Sequence, residues 1–224
     1  MTFSLVARSP GALMFGMAIA SSSPAVAARC AHARSGVGAV ATQNITDPAL
    51  GPKVLRGIAA GASAATALAD VLGATPYAAY RQLLAVGSTG APAAHSGSRA
   101  LGIAGVALGA DAAAAGNLLA SQDVPQARVA AFEGASGHFG ARLLQGLDAG
   151  ARKGGEAGPV HSAGLLVVRD VSWPIIDLRI DWCATDPIAA LIALWGIYAP
   201  QIEDYVRRAQ NPADAPSFGV PGNT

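Results

Sequence analysis

The sequence predicts an α+β protein with antiparallel sheets, and three observations lead there. Apolar runs of strand length come in pairs joined by turn residues, as hairpins do. Helical stretches arrive in pairs between those strand runs and do not alternate with single strands, which argues against βαβ units and a parallel sheet. The many Ala/Gly segments recur at no fixed period, so a solenoid is not expected.

Taken in order, Phe3, Leu5 and Ala7 alternate with Ser4, Val6 and Arg8, the period of a strand. Ser9-Pro10-Gly11 then reads as a turn into a second extended run from Leu13 to Ala20. The same stretch imitates an export signal, with an apolar centre followed by Ser21-Ser22-Ser23-Pro24 and an A-x-A-like site near Ala27. Arg8 is the one basic residue ahead of it, and the Pro-Gly turn splits the apolar run in two. A β-hairpin that stays on the protein is therefore expected, with cleavage near Ala27 as the competing reading.

Gly36 to Thr42 reads as a third strand. Asp47-Pro48 is placed to start a helix towards Gly61, and Ser63 to cap another that runs to Leu72, before Gly73 and Pro76. Tyr80 to Val86 is a strand, and Gly87-Ser88-Thr89-Gly90 turns it into a partner at Ala91 to His95. A short strand is expected at Gly102 to Leu108, with that region closing near Gly116-Asn117. Helices follow at Pro125–Glu133 and Phe139–Ala151, the second with Leu143, Leu144 and Leu147 on one face. After a loop from Gly154 to Pro159 come strands at Ala163–Arg169 and Ile175–Trp182, then helices at Pro187–Tyr198 and Gln201–Ala209. Residues 1–210 are read as one domain, and 211–224 as a Pro/Gly-rich tail along the surface.

Composition bounds the function. The formal charge is +1 and charged residues are only 13%, so no electrostatic footprint for nucleic acid or an anionic membrane is expected. No apolar run approaches the ~20 residues of a membrane-spanning helix. Cys30 and Cys183 form neither a disulfide framework nor a metal pair; they read as small buried hydrophobes in a reducing, cytoplasmic compartment. A polar-poor surface points to self-association, most simply a homodimer. His32, His95, His138 and His161 lack ligand spacing, so neither metal nor other cofactor is expected.

Candidate site residues lie at strand ends. Thr42, Gln43 and Asn44 close one strand with three polar side chains, and Asn117 follows a small-residue run; such groups orient substrates or stabilise an oxyanion, although capping turns is the commoner reason for Asn and Thr at such places. His95 borders Ser and Gly near another strand end. Asp177, Arg179 and Asp181 share one face of a strand as an acid–base–acid row, with Asp181 the nearest to a site. A solvated or interfacial charge ladder is the plainer account of that row.

Eight phrases in order (TFSLVAR, GVGAVATQ, AAHSG, GNLLAS, HSAGLLVV, DLRID, DPIAAL and APSFGVPG) resemble the bacterial and archaeal domain-of-unknown-function family 1028 over nearly the whole chain. That resemblance implies an N-terminal-nucleophile (Ntn) hydrolase-like fold, a four-layer αββα sandwich of two antiparallel sheets. It also implies that Thr2, once Met1 is removed, attacks an amide carbonyl while its own α-amine, of pKa about 8, takes the proton. Asn117 is then the expected oxyanion donor by residue type, with Thr42, Gln43, Asn44, His95 and Asp181 as substrate contacts. Cys30 and Ser162 are alternative nucleophiles. The expected activity is hydrolysis of a small linear or cyclic amide or ureide; the alternative is a catalytically silent binding or assembly module.

Overall fold

A computed structural model describes residues 1–214. Ten strands form two antiparallel sheets. In chain order they are β1 (Thr2–Arg8), β2 (Phe15–Ser21), β3 (Ala31–Arg34), β4 (Gly38–Asn44), β5 (Arg81–Gly87), β6 (Ala93–Ser96), β7 (Gly105–Leu108), β8 (Ala112–Asn117), β9 (Ser162–Val168) and β10 (Ile176–Ile180). The larger sheet runs β10-β9-β2-β1-β8-β7 and the smaller β3-β4-β5-β6. Seven α-helices accompany them: α1 (Val26–Cys30), α2 (Leu50–Ala59), α3 (Ala64–Gly73), α4 (Val124–Gly134), α5 (Phe139–Arg152), α6 (Pro187–Tyr198) and α7 (Ile202–Gln210).

The layers follow from side-chain parity. Strands buried on both faces carry apolar residues on both, and three separate cores result. Phe3 and Leu5 of β1, with Leu165 and Val167 of β9, pack under α4, α5 and α6 against Phe132, Leu143, Leu147 and Leu191. Val6, Phe15, Met17 and Ile19 turn the other way and meet Ala39, Ala41, Leu84 and Val86 of the smaller sheet. On that sheet's outer face Val40, Leu83 and Ala85 bury Leu50, Val54 and Ile58 of α2 and Ala67 and Leu68 of α3. The result is a four-layer αββα sandwich.

The N-terminal hairpin supplies the two central strands of the larger sheet, in register Phe3↔Ala20 through Arg8↔Phe15. Its turn is a 3-10 turn at Pro10–Ala12 with Gly11 at φ 70, and the Ser9 hydroxyl accepts from Met14 N at 2.9 Å. Arg8 closes the far end of the sandwich. Its Nε lies 2.7 Å from Asp111 Oδ1, and its Nη1 donates to the Gly87 and Gly90 carbonyls of the β5–β6 turn, at 3.0 and 2.8 Å.

Several expected boundaries move. α2 begins at Leu50, while Asp47 Oδ1 caps the preceding turn through Ala49 N at 3.0 Å. Ser63 caps α3 as expected, accepting from Thr66 N at 3.1 Å. β7 begins at Gly105, and β10 ends at Ile180, leaving Asp181 and Trp182 outside the strand. The helix α1, the strand β3 and the separate strand β8 were not expected. α1 has five residues, too few for a helical period, and it follows Ala25 in the left-handed region. β8 reads AAAAGN, and alanine is a poor strand former by propensity. It is held between β1 and β7, where small side chains fit on both faces. The proposed surface course of the tail lies outside the described residues, apart from a 3-10 turn at Pro212–Asp214. Among the described residues no helix is long and apolar enough to cross a membrane.

Candidate active site

At the end of the sandwich opposite Arg8, the space between the sheets changes from apolar to polar. Thr2 and Ser4 share the sheet-facing side of β1 with Val6, so period two brings their hydroxyls into that space. Ser21 of β2, Gln43 of β4, Gln82 of β5 and Asn117 of β8 join them, and all six residues are buried. Burial of so many polar groups requires that they bond to each other. Ser4 Oγ donates to Gln43 Oε1 at 2.5 Å, and Gln43 Nε2 donates to Gln82 Oε1 at 3.1 Å. Asn117 Nδ2 reaches the same Gln82 oxygen at 3.0 Å. Gln82 Nε2 donates in turn to Ser96 Oγ and to the Gly116 carbonyl, both at 2.9 Å. Gln82 is thus the hub that fixes the amide orientation of its neighbours.

Thr2 sits at the mouth of this network and faces Asn117 as its cross-strand partner. Its Oγ1 donates to the Met1 carbonyl at 2.5 Å and lies 3.3 Å from Ser21 Oγ. Ser21 Oγ donates to that same Met1 carbonyl, and accepts from Ser23 N at 3.1 Å. Two hydroxyls therefore converge on one acyl oxygen attached to the Thr2 nitrogen. Asn117 Oδ1 is buried without a partner, and its Nδ2 retains a second hydrogen beyond the bond to Gln82.

Glu156 completes the mouth. It is 5% exposed, and both its oxygens accept from Ser22 N, at 3.2 and 3.1 Å. Loss of hydration pushes its carboxyl up to about 7, against the opposing pull of the N-terminal ammonium and the Ser22 hydrogen bonds. A bridge between Leu119 and Glu156 and the Ala157 N to Leu118 carbonyl bond (2.9 Å) fix this loop beside the end of β8. Beneath the strand, the wholly buried Arg128 of α4 places its guanidinium 5.1 Å from the Phe3 ring centre and donates to the Ala18 carbonyl at 2.8 Å.

Thr2, Asn117 and Gln43 are thus brought together, and the other expected site residues are not. Thr42 has the opposite parity to Gln43, so its Oγ1 faces away from the sheet interface and donates to the Asp47 carbonyl at 3.2 Å. Asn44, at φ 74, uses its side chain to tie the Tyr80 carbonyl (2.5 Å) and Leu101 N (3.2 Å). His95 lies opposite Leu83, and its Nε2 contacts the Ala78 carbonyl at 3.1 Å. Asp181 follows β10 at the same end of the larger sheet, but β9 and β2 separate it from Thr2. Asp177 and Arg179 form the outward ladder, 3.9 Å apart.

The alternative nucleophiles are structurally engaged. Ser162 Oγ donates to the Ser23 carbonyl at 2.6 Å and caps Val26 N at 3.2 Å, and Cys30 is buried, which raises its thiol pKa. Ser4, Ser21, Gln82 and Glu156 were missed. Ser4 and Ser21 carried a usable signal, since each has the parity of a neighbour facing the other sheet. Glu156 had none, lying in a Gly-rich loop. Among the described residues no group of three or more His, Cys, Asp or Glu side chains is arranged to hold a metal ion. A hollow of about 590 Å³ between α2, α3 and Tyr77 lies on the outer face of the smaller sheet, on the far side from Thr2.

Comparison with known proteins agrees with this architecture. No curated protein matches the chain. The crystal structure of protein SPO2555 from Silicibacter pomeroyi, a DUF1028 protein, is similar with a TM-score of 0.83 and 31% identity, covering 91% of this chain and 94% of that one. The model of the family of unknown function DUF1028 matches residues 2–191. With nearly the whole sandwich inside that match, the chain belongs to the DUF1028 family.

Proposed function

We propose that this protein is an amide hydrolase of the N-terminal-nucleophile type, with Thr2 as nucleophile once the Met1–Thr2 bond is cut. The observation that carries the proposal is the position of the Thr2 hydroxyl. It lies at the end of a central strand, in a closed polar space, aimed at an acyl oxygen that a second hydroxyl also holds. With Met1 gone, the α-amine of Thr2 is the nearest base to its own Oγ1, and an unperturbed α-amine titrates near ~8, suited to taking a proton at neutral pH. Ser21 then serves as oxyanion donor, because its hydroxyl already donates to the acyl oxygen beside Thr2. The second hydrogen of Asn117 Nδ2 supplies a further donor, which retains Asn117 in the role expected from residue type.

The reaction balances simply. Thr2 Oγ1 bonds to the amide carbon and passes its proton to the α-amine. The C–N bond breaks as that proton goes to the leaving nitrogen, and water hydrolyses the resulting ester. Two measurements test the proposal. Intact mass of an active preparation should lack Met1. Thr2→Ala should abolish hydrolysis across a panel of linear amides, cyclic amides and ureides with unchanged circular dichroism. Full turnover by Thr2→Ala would remove Thr2 from the chemistry.

A second reading, an assembly module without catalysis, draws on α6. That helix is apolar on every side yet leaves Ile192 and Ile197 exposed, and Trp182 is exposed just before it. Self-association through this face is compatible with either reading. Sedimentation velocity reports the oligomeric state, and the absence of Thr2-dependent turnover on the whole panel favours the silent module.

A further inference from the structure

Resting on the assignment of Thr2 as nucleophile and Ser21 as oxyanion donor, we infer that Glu156 is a positioning residue for that donor. Its carboxylate takes the place of a strand partner that β2 lacks beside Thr2, and so holds the Ser21–Ser23 turn that aims the Ser21 hydroxyl.

The lack follows from the strand register. Phe3 stands opposite Ala20, so Thr2 falls opposite Ser21 and Met1 opposite Ser22. The Ser21 carbonyl is turned to the β9 side, where it accepts from His161 N at 2.9 Å. Backbone groups of successive residues point to opposite sides of a strand, so Ser22 N–H is turned to the β1 side. With Thr2 as the first residue, β1 has nothing there to accept that hydrogen. Glu156 accepts it instead, through both oxygens, at 3.2 and 3.1 Å. It is placed to do so because β2 and β8 flank β1. Just past β8, Ala120 N donates to the Gly155 carbonyl at 3.1 Å and Ala157 N to the Leu118 carbonyl at 2.9 Å, with Leu119 bridged to Glu156 between them. From that footing the Glu156 side chain reaches across the end of β1 to the residue just past β2.

The turn sets the direction of one hydroxyl. Ser23 N donates to Ser21 Oγ at 3.1 Å, which occupies a lone pair and leaves the hydroxyl hydrogen for the Met1 carbonyl. Ser162 Oγ fixes the far end of the turn by donating to the Ser23 carbonyl at 2.6 Å. Between these two points the turn is tied through Ser22 N to Glu156. A carboxylate is a costly tie. It is buried, and among the ion pairs of the described residues none joins it to a Lys, Arg or His side chain. A group that works against folding and yet organises the mouth is expected where function, not stability, selects the residue. Glu156 acts through Ser22 and Ser21 and takes no part in bond making.

A double-mutant cycle tests the assignment, on the full chain with loss of Met1 verified by mass and on the panel amide with the fastest Thr2-dependent turnover. Ser21→Ala should lower kcat about 100-fold with KM little changed, as loss of one oxyanion donor does. Glu156→Ala should lower kcat at least about 10-fold, again with KM little changed, as partial misplacement of that donor. In the Ser21→Ala background the same substitution should cost less than about 3-fold, because the group it positions is gone. Glu156→Gln keeps an oxygen to accept from Ser22 N and should recover most of the loss. Melting curves report the folding of each variant separately. In the parent chain, Ser22 N–H should exchange hydrogen at least about 10-fold slower than an exposed amide, although it lies outside the sheet. Exchange at the exposed rate would overturn the positioning role, whatever the variants do. An unchanged kcat in Glu156→Ala, or an equal loss in both backgrounds, would overturn it too and leave Ser21 and Thr2 standing. Parental turnover by Ser21→Ala would remove the oxyanion role, and the positioning role with it, while Thr2 stands. Turnover that survives in Thr2→Ala, or none on any panel amide, would overturn the nucleophile and both roles that depend on it.

Discussion

A carboxylate that is 5% exposed, with hydrogen-bond partners drawn from Ser22 alone, loses more hydration than those bonds return, and this is why Glu156 rises to about 7 from an ordinary 4.5. The sign of the linkage follows. Between those values the folded protein keeps a proton that the unfolded chain releases. The favourable contribution is therefore complete below about pH 4.5 and lost as pH rises through 7. Glu156→Gln cannot ionise, so its melting temperature should match the parent near about pH 4.5 and exceed it by several degrees near about pH 8. A melting-temperature difference that stays flat between those limits would mean that Glu156 is hydrated in solution. The residue scale also marks where sequence reading stops. Thr2, Gln43 and Asn117 are legible as polar groups at strand ends. Thr42 and Gln43 differ only in parity, and parity depends on which face of β4 meets the other sheet. Glu156 reaches the mouth through a loop bridge to Leu119, a contact that no spacing in the chain encodes.

At the scale of elements, the hairpin and the six longer helices, the C-terminal pair included, could be read because they carry their own signals: alternation in β1, the Ser63 cap, the leucine face of α5 and the apolar run of α6 behind Pro187. β8 could not, because its strand conformation is imposed from both sides. Four alanines have no preference that would select a strand, and the pairing with β1 and β7 decides it. α7 depends on its neighbours in another way. Besides the buried Ile202 and Val206, it is tied to the end of β9 by a two-pronged ion pair, Arg169 Nη1 to Glu203 Oε1 at 2.6 Å and Nη2 to Oε2 at 3.1 Å. Two parallel bonds fix orientation, but the partly exposed setting limits the energy to about 0.2–1 kcal/mol. Glu203→Gln should therefore lower the melting temperature only slightly, while backbone amides of 202–210 exchange hydrogen several-fold faster. Unchanged exchange in that segment would show that the apolar contacts alone hold α7.

Across the whole molecule, one end of the inter-sheet layer is a clamp and the other a polar site, joined by an apolar middle. β1 spans both, so the distance between Arg8 and Thr2 is about 20 Å of extended chain. Matched substitutions at the two ends should separate stability from chemistry. Arg8→Met removes the contacts to Asp111, Gly87 and Gly90 at a partly exposed edge, and should destabilise by about 1–3 kcal/mol without changing turnover. Gln82→Met takes the acceptor from Gln43 Nε2 and Asn117 Nδ2 in a buried space, while the Gly116 carbonyl stays in the sheet ladder. With roughly 1–3 kcal/mol for each orphaned group, it should destabilise by at least about 2 kcal/mol. It should also lower kcat on whichever amide is turned over, because Asn117 and Gln43 lose the hub that orients them beside Thr2. Urea titrations measure the first quantity and steady-state kinetics the second. The informative outcome is their divergence: if Arg8→Met lowers kcat as far as Gln82→Met does, loss of rigidity alone explains both. If only Gln82→Met does so, the polar network acts on the Thr2 site itself.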